Sequence, residues 1–324
     1  MNILITGITG FAGGYLAEFL IKKPDTRIFG LKRWHSPLDQ IRPLLPRLTL
    51  IDGDLGDPHS IDQAIAESAP DVVFHLAAQS YVPVSFLAPQ ETMHTNAIGT
   101  IALLEAIRRS KIDPVIHLCT SSEVYGEVPE NDLPIDESTV FRPQSPYAVS
   151  KVAQDMIGYQ YYVSYNMRII RSRTFTQTGP RSEEVLVLPA LAKQIAQLEL
   201  DRSAEQVIEV GNLNSIRTFC DIRDIVRAYV LLVEKCVPGE VYNIAGSHTC
   251  TISEMLRDLI GLTELEPEIR VNPRLLRPSD VTRQITDGSK FYAATGWQPE
   301  IPFAQTLSDT LDYWRGEVRR RVSG

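Results

Sequence analysis

The sequence predicts an α/β fold: a doubly wound parallel sheet followed by a smaller α/β C-terminal lobe. Three observations carry this. In the first half of the 324-residue chain, short apolar runs alternate with longer amphipathic stretches, the rhythm of strands joined by crossover helices. The first apolar run, Ile3-Leu4-Ile5, ends in a glycine-rich turn that opens a helix. After Gly179-Pro180 the texture changes to short helices, proline-rich turns and an apolar strand at Val207-Ile208-Glu209-Val210.

Strands are predicted at about 2–6, 26–31, 48–51, 71–76, 114–119 and 167–173, with helices between most of them. The stretch from Pro89 to Ser110 is periodic, with Ala102, Leu103, Ala106 and Ile107 on one face, and is predicted as one long helix. Pro146 to Tyr165 forms a second. Asp221 to Val233 has the pattern of a helix returning to the first domain, followed by a strand at 241–244. The expected organisation is a first domain at 1–175 and a second lobe at 176–324, interleaved, with 212–245 returning in part to the first. There are no internal repeats and no low-complexity tract.

Composition narrows the partners. With 32 basic and 40 acidic residues the net charge is −8, which argues against nucleic acid or an anionic membrane as the main partner. An anionic ligand must then be held by a few placed arginines and helix N-termini. Cys119, Cys220, Cys236 and Cys250 are scattered, without a CxxC pair or a histidine at ligand spacing, so a reducing compartment and no structural metal are expected. The apolar run after Met1 is too short for a signal peptide or a membrane span, and a soluble, cytoplasmic protein is expected.

The turn Thr6-Gly7-Ile8-Thr9-Gly10-Phe11-Ala12-Gly13 lies between the first strand and the first helix, where a Rossmann-type fold binds a dinucleotide. Glycines there let backbone N–H groups approach a pyrophosphate, and the helix N-terminus adds partial positive charge. Gly7, Thr9, Gly10, Phe11 and Gly13 are the candidate cofactor contacts. At the end of the second strand an NAD site usually carries a carboxylate for the ribose 2′-hydroxyl. This chain has Lys32-Arg33, two cations suited to a 2′-phosphate, which points to NADP(H). Asp54-Leu55, after the third strand, is a candidate adenine contact, although an Asp in a turn also has purely local uses.

Tyr147 and Lys151 stand four residues apart on one helical face. An ammonium beside a phenol favours the phenolate, which predicts a Tyr147 pKa lowered from about 10 toward neutrality. Such a Tyr exchanges a proton with a hydroxyl or ketone while a nicotinamide exchanges hydride. Upstream, Thr120-Ser121-Ser122-Glu123-Val124-Tyr125-Gly126 follows a strand, so Ser121 falls at the rim where doubly wound sheets bind ligands.

Together the segments TGITGFAGG, the Asp54 turn, HLAAQS (75–80), TNAIGT (95–100), TSSEVYG and SPYAVSK (145–151) resemble an extended short-chain dehydrogenase/reductase of the nucleotide-sugar branch. SYVPVSF (80–86), RTFTQTGP (173–180), GNLNSIRTFCDIRDIVRAY (211–229) and LRPSD (276–280) are similar to its GDP-mannose group. By this resemblance Ser121, Tyr147 and Lys151 form the catalytic triad and Lys151 also holds the nicotinamide ribose. Leu76, Ala77 and Ala78 line the cofactor, and Ser80 and Thr176 face the substrate. The resemblance also implies a GDP-sugar substrate and a homodimer through the helices at 89–110 and 146–165.

Two activities fall within that group. A 4,6-dehydratase oxidises C4, eliminates water across C5–C6 and returns hydride to C6; a reductase delivers one hydride to the C4 ketone. Chain length, the missing insertion after Lys32-Arg33 and the run at 295–315 resemble the reductase, which is the expected activity, whereas GLKR (30–33) and VSF (84–86) resemble the dehydratase, the alternative. Glu123 is the candidate acid–base group for elimination. Thr176-Gln177 replaces the family's Asn-His, leaving Arg217 and Arg277 as the candidates for diphosphate and nucleotide, because guanidinium forks match phosphate oxygens. A catalytically silent NADPH-binding regulatory protein is the alternative from another class; the intact Ser121-Tyr147-Lys151 set argues against it.

Overall fold

The computed structural model describes residues 1–276 and 279–323. In chain order the first part comprises β1 (Asn2–Thr6), α1 (Phe11–Leu20), β2 (Arg27–Lys32), β3 (Leu48–Asp52), α2 (Pro58–Ser68), β4 (Val72–His75), α3 (Val82–Leu87), α4 (Pro89–Met93) and α5 (Gly99–Ser110). There follow β5 (Val115–Cys119), α6 (Pro146–Tyr165), β6 (Ile169–Thr174), β7 (Thr176–Thr178), α7 (Val187–Leu200), β8 (Val207–Val210) and β9 (Ile216–Asp221). The remainder comprises α8 (Ile222–Lys235), β10 (Val241–Ile244), β11 (His248–Thr251), α9 (Ile252–Ile260), β12 (Glu268–Val271), β13 (Arg283–Gln284), α10 (Ser289–Thr295) and α11 (Phe303–Ser323).

Seven strands form one parallel sheet in the order β10-β6-β5-β4-β1-β2-β3. The order reverses between β1 and β4, so their C-terminal ends frame the crevice where such sheets bind ligands. One face packs on α1 and α8 through Leu16, Leu20, Ile225, Val226 and Tyr229, and the other on α2, α5 and α6 through Ile61, Ile65, Leu103, Leu104 and Tyr161. β9 is the centre of a second, small sheet with β7, β11 and β13, and β8 pairs β12 in a third. Leu188, Leu191, Met255, Leu259, Leu311 and Trp314 make the separate core of that lobe.

Within 212–245, α8 and β10 join the large sheet while β9 does not. Phe291 and Trp297, well inside the expected second lobe, pack into the core of the large sheet, where the Trp297 indole N–H donates to the Asp224 carbonyl.

Two local features place the site. α6 starts at Ser145, whose hydroxyl accepts the Ala148 N–H at 3.0 Å, with Pro146 at the first helical position; this fixes the helix that carries Tyr147 and Lys151. The expected single helix over 89–110 is interrupted by a π-turn at His94–Ile98. There Asn96, fully buried, donates to the Gln79 carbonyl and to Ser150 Oγ, and accepts the Gln79 N–H. The wider turn aims Asn96 at the loop after β4, a tertiary demand invisible to a 3.6-residue periodicity.

Candidate active site

The glycine turn is cut to fit its neighbours. Gly7 has φ +73°, and a Cβ there would lie 2.8 Å from the Ala77 nitrogen; at Gly13 it would lie 2.2 Å from the Gly7 carbonyl oxygen. These two glycines let the β1 turn, the start of α1 and the loop after β4 close on one another. Gly10 caps α1 without a side-chain acceptor, so the first-turn N–H groups stay available to an anion. A cradle too narrow for a Cβ and an uncapped helix N-terminus fit a dinucleotide pyrophosphate. Thr9 and Phe11 are half-buried beside it, and Leu76, Ala77 and Ala78 form the facing loop.

The two cations after β2 part company. Lys32 is ion-paired with Asp52, its register partner on β3. Arg33 is exposed, its carbonyl accepts the Ser36 N–H, and its guanidinium has no hydrogen-bond or ionic partner among the described residues, so it is the available guanidinium of the pair. Asp54 is exposed and its carboxylate accepts the Gly56 N–H at 2.8 Å, a local turn bond. Leu55 is buried in the core beneath β3, which accounts for its apolar character.

Ser121 lies two residues past β5, buried, and accepts the Glu123 N–H at 3.2 Å; it also hydrogen-bonds Tyr147. Tyr147 is nearly closed off from solvent, and burial pushes its phenol above the ordinary value despite the Ser121 bond. This corrects the expectation of a Tyr147 lowered by Lys151. The ammonium sits 5.9 Å from the ring centroid and is spent on the Cys119 carbonyl (2.9 Å) and Gln154 Oε1 (2.8 Å), so desolvation of the phenol wins. Burial also lowers Lys151 to about 8. Glu123 is half-buried, close enough to oppose ionisation of Tyr147, and has no side-chain partner among the described residues.

The opposite wall comes from the second lobe. Arg217 directs its guanidinium to the Val281 carbonyl at 2.7 Å and to Asp280 at 3.5 Å. Arg277 lies outside the described residues. Thr176 is half-buried on β7, and Ser80 is exposed in the loop after β4. Next to Ser80, the Tyr81 hydroxyl bonds Glu183 and thereby joins the two walls. Gln177 Oε1, Thr178 Oγ1 and Ser182 Oγ are buried without hydrogen-bond partners among the described residues, polar atoms of the kind a bound ligand satisfies.

Sequence reasoning missed the layer beneath. Thr6, His75, Asn96, Thr100 and Gln154 are all buried and mutually hydrogen-bonded under Tyr147 and Lys151. Their signal was present: polar residues at inward positions of apolar segments, three of them inside HLAAQS and TNAIGT.

A fold of this kind, with Ser, Tyr and Lys at the carboxyl rim of a Rossmann-type sheet, defines a short-chain dehydrogenase/reductase. Residues 4–310 match the family model described as GDP-mannose 4,6 dehydratase, and the chain belongs to that family. It is 31% identical to a GDP-6-deoxy-D-mannose reductase of Pseudomonas aeruginosa over 98% of both chains. It is 32% identical to a GDP-mannose 4,6-dehydratase of Yersinia enterocolitica, covering 95% of this chain and 92% of the other. Among solved structures, RMD from Pseudomonas aeruginosa complexed with NADPH superposes with a TM-score of 0.85 at 30% identity, over 98% of this chain and 100% of that one.

Proposed function

We propose that this protein is an NADPH-dependent GDP-6-deoxy-4-keto-D-mannose reductase, which reduces the C4 ketone and yields GDP-D-rhamnose. Identity alone does not separate reductase from dehydratase, at 31% and 32%. The supporting observation is the likeness to the Pseudomonas reductase over 98% of both chains, against 95% and 92% for the Yersinia dehydratase, joined by the superposition on RMD complexed with NADPH.

In this reading Gly7, Thr9, Gly10, Phe11 and Gly13 with the first-turn N–H groups of α1 would hold the pyrophosphate, Arg33 the 2′-phosphate, and Leu76, Ala77 and Ala78 the facing side. The reduced nicotinamide, when bound, supplies hydride. Tyr147 gives its proton to the C4 oxygen, and Ser121 donates a hydrogen bond to the same atom. A phenol raised by burial stays protonated near neutrality, the form a proton donor needs. Lys151, charged below about pH 8, stabilises the phenolate left behind and orients the ribose. Thr176, Ser80, Arg217 and Arg277 belong to the GDP-sugar side.

The same reading includes a homodimer through α5 and α6. Val149, Met156 and Val163 are exposed one heptad apart on α6, with Tyr159 among them and Ile98 nearby in sequence to α5, an apolar stripe that a second copy would cover. Four free thiols fit a reducing, cytoplasmic setting. Among the described residues no helix is long and apolar enough to cross a membrane.

A dehydratase is the second reading, favoured by the unpartnered Glu123 carboxylate beside Tyr147. Incubation with GDP-mannose alone, then with GDP-4-keto-6-deoxymannose plus NADPH, decides by product mass. A gain of two hydrogens from the ketone is expected; loss of water from GDP-mannose without added cofactor would establish the dehydratase. Turnover of either excludes the silent regulatory protein.

A further inference from the structure

Under Tyr147 the buried hydrogen bonds form one chain whose direction is fixed. The Ala77 N–H donates to Thr6 Oγ1 at 3.1 Å, and Thr6 Oγ1 lies 2.8 Å from His75 Nδ1. His75 Nε2 is 3.0 Å from Thr100 Oγ1, which gives its own proton to the Asn96 carbonyl at 2.7 Å. With that proton spent, Thr100 only accepts, so His75 donates from Nε2 and accepts at Nδ1. His75 is neutral, lowered to about 3 by burial and by the Lys151 charge, as this arrangement needs. Gln154 Nε2 donates to the same Thr100 oxygen at 2.9 Å, and its Oε1 therefore faces Lys151 at 2.8 Å. A flipped amide would set oxygen against oxygen at Thr100 and NH2 against the ammonium. Thr6, Thr100 and Gln154 are wholly buried, His75 and Lys151 nearly so.

We propose that Gln154 is a positioning residue for Lys151: held in one orientation by Thr100, whose proton goes to the Asn96 backbone carbonyl, its amide oxygen keeps the buried ammonium charged and seated on the Cys119 carbonyl beneath Tyr147. The inference rests on the reading of Lys151 as a catalytic residue. Two of the three N–H groups are engaged below the site, leaving one for the reaction. The titratable groups facing Lys151 are Tyr147 on α6, Cys119 and His117 on β5 and His75 on β4, while Glu123 in the turn after β5 and Tyr229 on α8 act on Tyr147. His117, like His75, is neutral, lowered to about 3. Asp155 is matched by Arg171 and Arg173. Among the described residues Gln154 is thus the side chain that gives the ammonium an acceptor.

The test uses Gln154→Met and Gln154→Glu, both close to glutamine in shape. NADPH affinity, read by fluorescence across pH, and the pH profile of turnover are measured together. Losing a hydrogen bond to a buried charge should move the alkaline midpoint down by about one pH unit in the Met variant. The added carboxylate should move it up. Thr100→Val, which frees the amide to turn, should shift the midpoint in the Met direction. Midpoints that stay at the wild-type value, or move the same way in Met and Glu, overturn the proposal. Lys151→Met separates the two readings: near-normal turnover there sinks the catalytic role of Lys151. Lost turnover there with unmoved Gln154 midpoints sinks the role of Gln154 alone.

Discussion

The two walls of the cleft are built by different means. On the wall formed by the large sheet, backbone and buried polar contacts do the placing: Gly7 and Gly13 close the β1 turn, Ser145 starts α6, and a hydrogen-bonded layer seats Lys151. On the wall formed by the second lobe, side chains satisfy one another or remain unpartnered. Arg217 is held by Val281 and Asp280, while Gln177, Thr178 and Ser182 keep bare polar atoms. In the proposed reading the first wall serves proton transfer. The second is a recognition surface whose chemistry is completed by what binds there.

If that contrast is right, disturbing the first wall strikes turnover hardest. Tyr147→Phe should lose about 10²–10⁴-fold in kcat while NADPH still binds, because the phenol is the proposed proton donor. Near-normal turnover by a folded Phe variant breaks the assignment.

Acid should find the same wall. His75 and His117 are neutral down to about 3 when folded but take up protons near 6.5 when unfolded. The unfolded state then binds more protons between those values, so stability falls as pH drops below 6.5, by about 1.4 kcal/mol per unit for each histidine. Hydrogen exchange at pH 4 should open β4 and β5 before α7 and α11. Equal protection of both would erase the contrast.

At the rim the effects are smaller. Arg33→Ala should shrink the preference for NADPH over NADH by about tenfold, or ~1.4 kcal/mol, in binding titrations. Lys32→Ala should do less, since Asp52 already pairs with Lys32. Equal affinity of the wild type for both cofactors contradicts this. Smallest of all, Glu123→Gln should cost ketone reduction less than about tenfold. A collapse of several hundredfold would make Glu123 an acid–base group and favour the dehydratase.

The sequence was readable where the determinants are short-range. Strand–glycine–helix order, the Ser-rich turn after an apolar strand and the Tyr147–Lys151 spacing each lie in one continuous stretch of chain, and the parallel sheet follows from the same rhythm. What escaped depends on distant contacts. The π-turn at Asn96 reaches the loop after β4, and the acceptor for Lys151 is oriented by Thr100 on α5, whose proton goes to the Asn96 carbonyl. Phe291 and Trp297 fill the first core from far along the chain, so no composition shift could mark the boundary. The expected depression of Tyr147 failed because spacing shows which groups are near, but not how much water burial removes.

Deuterium tracing tests the central claim most directly. The protein is incubated with GDP-4-keto-6-deoxymannose and NADPH deuterated at the nicotinamide C4, and the sugar product is examined by NMR. Deuterium at C4 of the sugar, with one cofactor oxidised per product, is expected. Unlabelled sugar and unconsumed cofactor, together with water loss from GDP-mannose by the same preparation, would contradict it.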